Sequence, residues 1–128
     1  MEYVNNFREL EIYKQARQLA KEIFEVSRKF PKEEMYSLTD QIRRASRSVG
    51  GQIAEAWGKR RYERHFIAKL TDADGEQLET QHWLETAYDC TYLQKECAED
   101  LIQKSAAIGK MLSSMMDKAS SFCRKTSM

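Results

Sequence analysis

Proline occurs once in 128 residues, at Pro31, and glycine only five times. So few turn-formers exclude a many-stranded β-protein, whose tight turns draw on both. Cysteine is sparse as well: Cys90, Cys97 and Cys123 are odd in number and contain no C-x-x-C pair. That argues against a disulfide framework and fits a reducing compartment, with the three read as small buried or half-buried thiols. Long apolar runs are missing, whereas a membrane-spanning helix needs about 20 such residues in succession. The opening "MEYVNNFREL" lacks a basic stretch followed by an apolar one, so no signal peptide is expected. These absences point to a cytoplasmic protein without a membrane partner. The length suits one domain over 1–128, with 1–9 and 123–128 expected to fray.

Signatures of catalysis are missing too. There is no phosphate-binding G-x-x-x-x-G-K-(S/T), no dinucleotide G-x-G-x-x-G and no nucleophile elbow G-x-S-x-G. Glu79 and His82 form one Glu-x-x-His pair. Carboxylate-bridged metal bundles need two such pairs and two further inward carboxylates, and the other histidine, His65, has no glutamate three residues before it. The cysteines and histidines lack four-ligand zinc spacing. The expectation is a protein that is not an enzyme and holds neither metal nor cofactor.

What is present is helical periodicity. From Leu10 to Phe30 the residues Tyr13, Ala16, Ala20, Ile23, Phe24 and Phe30 recur at three- and four-residue steps, as on an amphipathic helix. Pro31 stops it. A second helix is expected from about Glu34 to Trp57, with Leu38, Ile42, Ala45, Val49, Ile53 and Ala56 on one face and Gly58 at its end. The third should run from about Tyr62 to Tyr88 behind Phe66, Leu70, Ala73, Leu78, Leu84 and Tyr88, with Gly75 weakening it. After a short turn near Thr91–Lys95, the fourth covers about Cys97 to Phe122, with Leu101, Ile108, Met111, Leu112, Met115 and Phe122 inward. Four such helices on short connections predict an all-α fold, an antiparallel up-down-up-down four-helix bundle.

The net charge of +1 conceals blocks of opposite sign. Residues 43–71 carry eight basic and two acidic groups, and residues 72–100 one basic and nine acidic. Such blocks can meet across a subunit interface or meet an outside partner. On a wheel of about 100° per residue, Arg43, Arg44 and Arg47 fall opposite the apolar face of the second helix, together with Gly50, Gly51 and Ala54. A solvated face gains nothing from glycine, which is about 0.8–1 kcal/mol worse there than alanine. Gly50, Gly51 and Ala54 therefore read as a place where a neighbouring subunit's helix or a phosphate backbone comes close. Lys59, Arg60, Arg61 and Arg64 add a second basic cluster at the end of the helix.

The string "FRELEIYKQARQLAKEIFEVSRKFPKEEMYSLTDQIRRASRSVGGQIAEAWGKR" resembles the four-helix-bundle proteins associated with intervening sequences of bacterial 23S ribosomal RNA genes. The matching positions are Phe7 and Leu10, then Phe30, Pro31, Glu34, Tyr36 and Leu38, then Gln41 to Ala45, Ser48, Val49 and Ile53 to Glu55. "DADGEQLETQHWLETAYDCTYL" resembles a subgroup with E-T-Q-x-W-L on the third helix. Gln52 stands where the family usually has asparagine, and Ala56 where it has glycine. The resemblance covers about residues 7–115. It implies a bundle often assembled as a ring of five and kinship with the accessory protein of diversity-generating retroelements, which works beside a reverse transcriptase and RNA. It implies no enzymatic activity.

Two readings stand side by side. In the first, a non-enzymatic accessory factor contacts RNA or DNA phosphates through Arg43, Arg44, Arg47, Lys59, Arg60, Arg61 and Arg64, with avidity from several subunits and another protein, such as a nucleic-acid enzyme, as a further partner. In the second, the chain is a homo-oligomeric scaffold in which the basic block of one subunit meets the acidic block of the next.

Overall fold

The computed structural model describes residues 4–123. Among these there is no strand. The elements are α1 (Glu11–Ser27), α2 (Leu38–Gly58), α3 (Glu63–Asp89), α4 (Lys95–Asp117) and the short α5 (Ala119–Phe122), with 3-10 turns at Phe7–Glu9 and Lys32–Glu34. Helix α1 touches α2 and α4, α2 touches α3, and α3 touches α4, so each long helix has two neighbours, as in a four-helix bundle. No helix is long and apolar enough to cross a membrane.

The ends of the elements follow local chemistry. Residues 7–9 do not fray as expected: the Asn6 side chain accepts the Arg8 N–H at 2.8 Å, and Phe7 meets Tyr13 edge to face with centroids 4.9 Å apart. Leu10 is buried behind them. Residues 1–3 and 124–128, also expected to fray, lie outside the described residues. Helix α1 stops at Ser27 rather than Phe30. The N–H groups of Arg28, Lys29 and Phe30 reach back three residues instead of four, tightening the chain ahead of Pro31. Helix α2 begins at Leu38, not Glu34. Glu34 sits one turn earlier, where its carboxylate accepts the Leu38 N–H at 3.4 Å.

Two seams differ from the expected stripes. In α1 the buried line is Ile12, Ala16, Leu19 and Ile23, with Tyr13, Ala20 and Phe24 half-buried along its edge. In α3 the buried line is Phe66, Leu70, Ala73, Gln77, Thr80, Leu84 and Ala87, an unbroken alternation of four- and three-residue steps. Leu78 and Tyr88, expected inward, are 55% and 44% exposed. The two middle positions of the seam are polar, so apolarity alone pointed one residue off.

Those polar positions are satisfied. Ser105 of α4 donates to the Gln77 backbone carbonyl at 3.0 Å and meets its side-chain oxygen at 3.1 Å. Gln77 Nε2 donates to Asp74 at 2.8 Å, and Gln81 donates to Gln77 Oε1 at 2.8 Å. Gly109 makes room for this arrangement, since a Cβ there would lie 2.5 Å from Gln77 Nε2.

The α3–α4 turn is closed by two bonds that run backwards into α3, Thr91 N–H to Tyr88 O at 2.9 Å and Tyr92 N–H to Ala87 O at 2.9 Å. This pattern requires a left-handed residue, and Thr91 takes it at φ 64°. Tyr92 pins the strained turn: its ring packs on Phe30 at 5.6 Å and its hydroxyl donates to Glu34 at 2.9 Å. Beyond α4, the helix expected to continue to Phe122 breaks at Lys118, and Phe122 of α5 stacks on Phe66 at 6.0 Å.

Glycine-to-alanine exchanges should therefore have opposite signs. Gly51 has open space around a built Cβ, so Gly51→Ala should stabilise by about 0.5–1 kcal/mol in urea unfolding. Gly109→Ala should destabilise by about 1 kcal/mol or more, because unpairing the buried Gln77 group outweighs the helix gain.

The hydrogen bond to Glu34, aided by burial, pushes the Tyr92 hydroxyl up to about 12. A raised folded-state value means the contribution is complete below the ordinary tyrosine range near 10 and is lost as pH climbs from about 10 through 12. Relative to Tyr92→Phe, the wild type should lose its stability advantage in thermal melts across that window.

Candidate nucleic-acid and subunit surface

The seven basic residues expected to bind nucleic acid fall into two groups at opposite ends of α2, about 20 Å apart by helix rise. The first surrounds Phe24 of α1. Arg43 lies 4.7 Å from the ring centroid, Arg47 5.5 Å and Arg28 5.8 Å. Arg43 Nε donates to Ser27 Oγ at 2.8 Å, and that hydroxyl donates to the Phe24 carbonyl at 2.9 Å. Arg43 is thus half-buried and fastens α2 to the end of α1. Arg44 points away and pairs with Asp40 at 2.9 Å. Of the three, Arg47 is the exposed one without an ion pair among the described residues. Arg28 was not singled out from the sequence, although Phe24 and Arg28 are four residues apart on one helix face.

The second group lies on the α2–α3 turn. Arg60 lies flat over Trp57, 3.5 Å from the ring centroid, and its Nε donates to the Trp57 carbonyl at 2.8 Å. It caps the negative end of the α2 dipole. Lys59, Arg61, Tyr62, Arg64 and His65 are exposed. Arg61 lies 5.8 Å from the Tyr62 ring, and His65 packs against the same ring at 5.4 Å. Tyr62 is 55% exposed, next to Arg61 and His65. Tyr62 and His65 were not singled out either; the sequence signal is aromatic residues interleaved with a basic run.

The small residues of α2 divide differently from expectation. Gly50 is not on the outer face. It is buried, and a Cβ there would lie 3.7 Å from Tyr13 and 3.9 Å from Ala16 of the chain's own α1. Because α2 has two neighbours, its buried arc takes in Thr39, Ser46, Gly50 and Trp57 as well as the apolar stripe. Gly51 is exposed and Ala54 half-buried. Together with Gly50, Tyr13, Ala16 and Ala20 these two line a groove between α1 and α2, and Arg17 and Arg47 line it as well. Arg8, Lys14 and Lys21 extend the basic surface beyond Arg17.

On α3, Glu79 accepts the Trp83 indole N–H at 3.2 Å and His82 packs on the Trp83 ring at 4.7 Å. Burial, then neighbouring carboxylates, push the Cys97 thiol up. Burial does the same for Cys123, and Cys90 is exposed.

The family model of the 23S rRNA-intervening sequence protein matches residues 8–114. The crystal structure of a protein of unknown function from the S23 ribosomal protein family of Bacteroides thetaiotaomicron VPI-5482 is similar, with a TM-score of 0.75 and 27% identity, covering 82% of this chain and 97% of that one. No curated protein matches.

The split between fastened and exposed cations is measurable. Arg43→Gln should lower stability by about 1 kcal/mol, through loss of the Ser27 bond and the Phe24 contact. Arg61→Gln and Arg64→Gln should stay within about 0.5 kcal/mol of wild type in the same urea titration.

Proposed function

The chain belongs to the 23S rRNA-intervening sequence protein family, and from that we propose that it is a non-enzymatic, oligomeric accessory protein of the cytoplasm that holds single-stranded RNA at the turn between α2 and α3. The observation that carries this reading is the exposed Tyr62 ring among Lys59, Arg61 and Arg64. Single strands are bound by combining an aromatic face, on which a base stacks, with cations that track the phosphates. Arg60, flat on Trp57, supports the turn from behind. Arg43 and Arg44 drop out of the expected contact set, since one is committed to Ser27 and the other to Asp40.

The up-down-up-down order belongs to this reading. Ser27 at the end of α1 meets Arg43 early in α2, while Tyr13 near the start of α1 faces Gly50 further along. Lys69 early in α3 pairs with Glu55 late in α2, and Gln77 pairs with Ser105 across α3 and α4. These crossings support antiparallel neighbours. Such an order puts the α2–α3 turn at one end of the bundle, so an assembly of several copies gathers several turns and binds with avidity. The family resemblance is the reason to expect five. A nucleic-acid enzyme as protein partner follows from the same resemblance.

Fluorescence anisotropy with a labelled single-stranded RNA tests the reading. Tyr62→Ala should weaken binding about tenfold, the measured scale of one lost base stack. Arg61→Gln with Arg64→Gln should flatten the log–log salt dependence by about 1.4, at about 0.7 per phosphate contact on a single strand. Arg44→Gln should change neither. Absence of wild-type binding at low salt sinks the proposal, and equal binding of duplex DNA removes the single-strand part of it.

A further inference from the structure

The outer face of α3 is unusual for a surface helix. Leu78 is 55% exposed, with the exposed Gly75 one turn before it. Asp72, Glu76 and Glu79 follow one another at four- and three-residue steps beside them. Like charges at this spacing repel. Burial, then Glu79 and to a smaller extent Asp72, hold the Glu76 carboxyl above its ordinary range. Lys69 lies 3.9 Å from Asp72 and closer, 2.9 Å, to Glu55. The face therefore combines an exposed leucine with a run of carboxylates, of which Glu76 and Glu79 have no ion pair among the described residues.

The α1–α2 groove is its complement. Its floor of Ala20, Gly51 and Ala54 leaves space for a side chain, and Arg17 and Arg47 at its edges are both exposed. The two surfaces also stand at one height along the bundle. Lys69 donates to Gln52 at 3.2 Å, and Ser48 lies against the Glu76 carboxyl, so residues 69–76 of α3 run level with 52–48 of α2. Height matters because the two patches differ, which makes their contact head-to-tail. A head-to-tail contact closes into a ring only when the rotation carries no rise; otherwise it propagates as a filament.

We propose that the α1–α2 groove of one chain receives the outer face of α3 from a second copy of this chain, with Leu78 over the small-residue floor and Asp72 and Glu79 facing Arg17 and Arg47. This rests on the oligomeric part of the function proposed above and is independent of RNA.

Charge exchange tests it on the full-length chain by light scattering at micromolar concentration. Wild type should be an oligomer. Arg17→Glu with Arg47→Glu should be monomeric, and so should Asp72→Lys with Glu79→Lys. The variant carrying all four exchanges should reassemble to the wild-type mass. All four positions are exposed, and helical dichroism with a cooperative melt establishes that each variant folds. Leu78→Gln, a single surface exchange, should also dissociate the assembly and keeps the test decisive if a charge variant does not fold. A wild-type oligomer that persists in both two-site variants, or a four-site variant that stays monomeric, overturns this contact and leaves the RNA reading intact. A monomeric wild type overturns the contact together with the oligomeric part of that reading, while RNA binding is decided separately by anisotropy.

Discussion

The burial of one glutamine governs how α3 lies in the bundle. Gln77 is 3% exposed at the middle of the longest helix. A buried amide must be paired, and its partners come from Asp74 and Gln81 on its own helix and Ser105 on the next. Sliding α3 by one turn along α4 would part Gln77 from Ser105 and bring the side chain against something other than Gly109. Leu70, Phe66 and Leu84 would pack almost as well in a slipped register; the amide would not. Because α3 also lies against α2, the register set at Gln77 fixes where Lys69 meets Glu55 and Gln52, and so the height of α3 against the groove.

Much of the charge visible in the sequence is used inside the chain. Arg43 joins α2 to α1 through Ser27, Arg60 closes the α2 terminus, and Lys69 joins α3 to α2. Lys104 bridges α4 to Glu22 of α1 at 2.7 Å. Each of these side chains spans two structural pieces and is held by more than a lone solvent-exposed ion pair. Among the described residues, the cations without an ion pair include Lys59, Arg61 and Arg64 on the turn, and Arg17 and Arg47 beside the groove. A cation already committed to a structural bond must break it before it can bind anything else.

The helical class and the four long helices were legible from three- and four-residue spacing, while the ends of α1, α2 and α4 moved by several residues. What periodicity could not resolve was which side of a helix is inside when it has two neighbours. The stripe through Ile42, Val49 and Ile53 is correct, but the buried arc of α2 extends through Ser46 to Gly50, residues that read as surface because they are polar or small. The same effect moved Leu78 outward: Gln77 and Thr80 hold the seam by bonds the letters do not show. Of the candidate site, the basic cluster at Lys59–Arg64 was readable as composition. The commitment of Arg43 was not, since Ser27 lies 16 residues away and only folding brings them together, whereas the Arg44–Asp40 pair has an i,i+4 spacing that the letters do show.

The two surfaces place separate demands on α2. In the proposed contact its middle, with Gly51 and Ala54, must stay smooth for a second chain, while in the proposed RNA site its end must project charge. The turn begins at Lys59, about one and a half helical turns beyond Ala54. A ring built through the proposed contact would, by symmetry, set all of those turns on one rim. A net charge of +1 per chain is then no obstacle to binding a polyanion. In the proposed contact the carboxylates of α3 would face the groove cations of the next subunit, and the rim would present the cations that remain. Long-range attraction falls off within about 8–10 Å at physiological salt, so the strand responds to the sign of that rim rather than to the sum over the whole assembly.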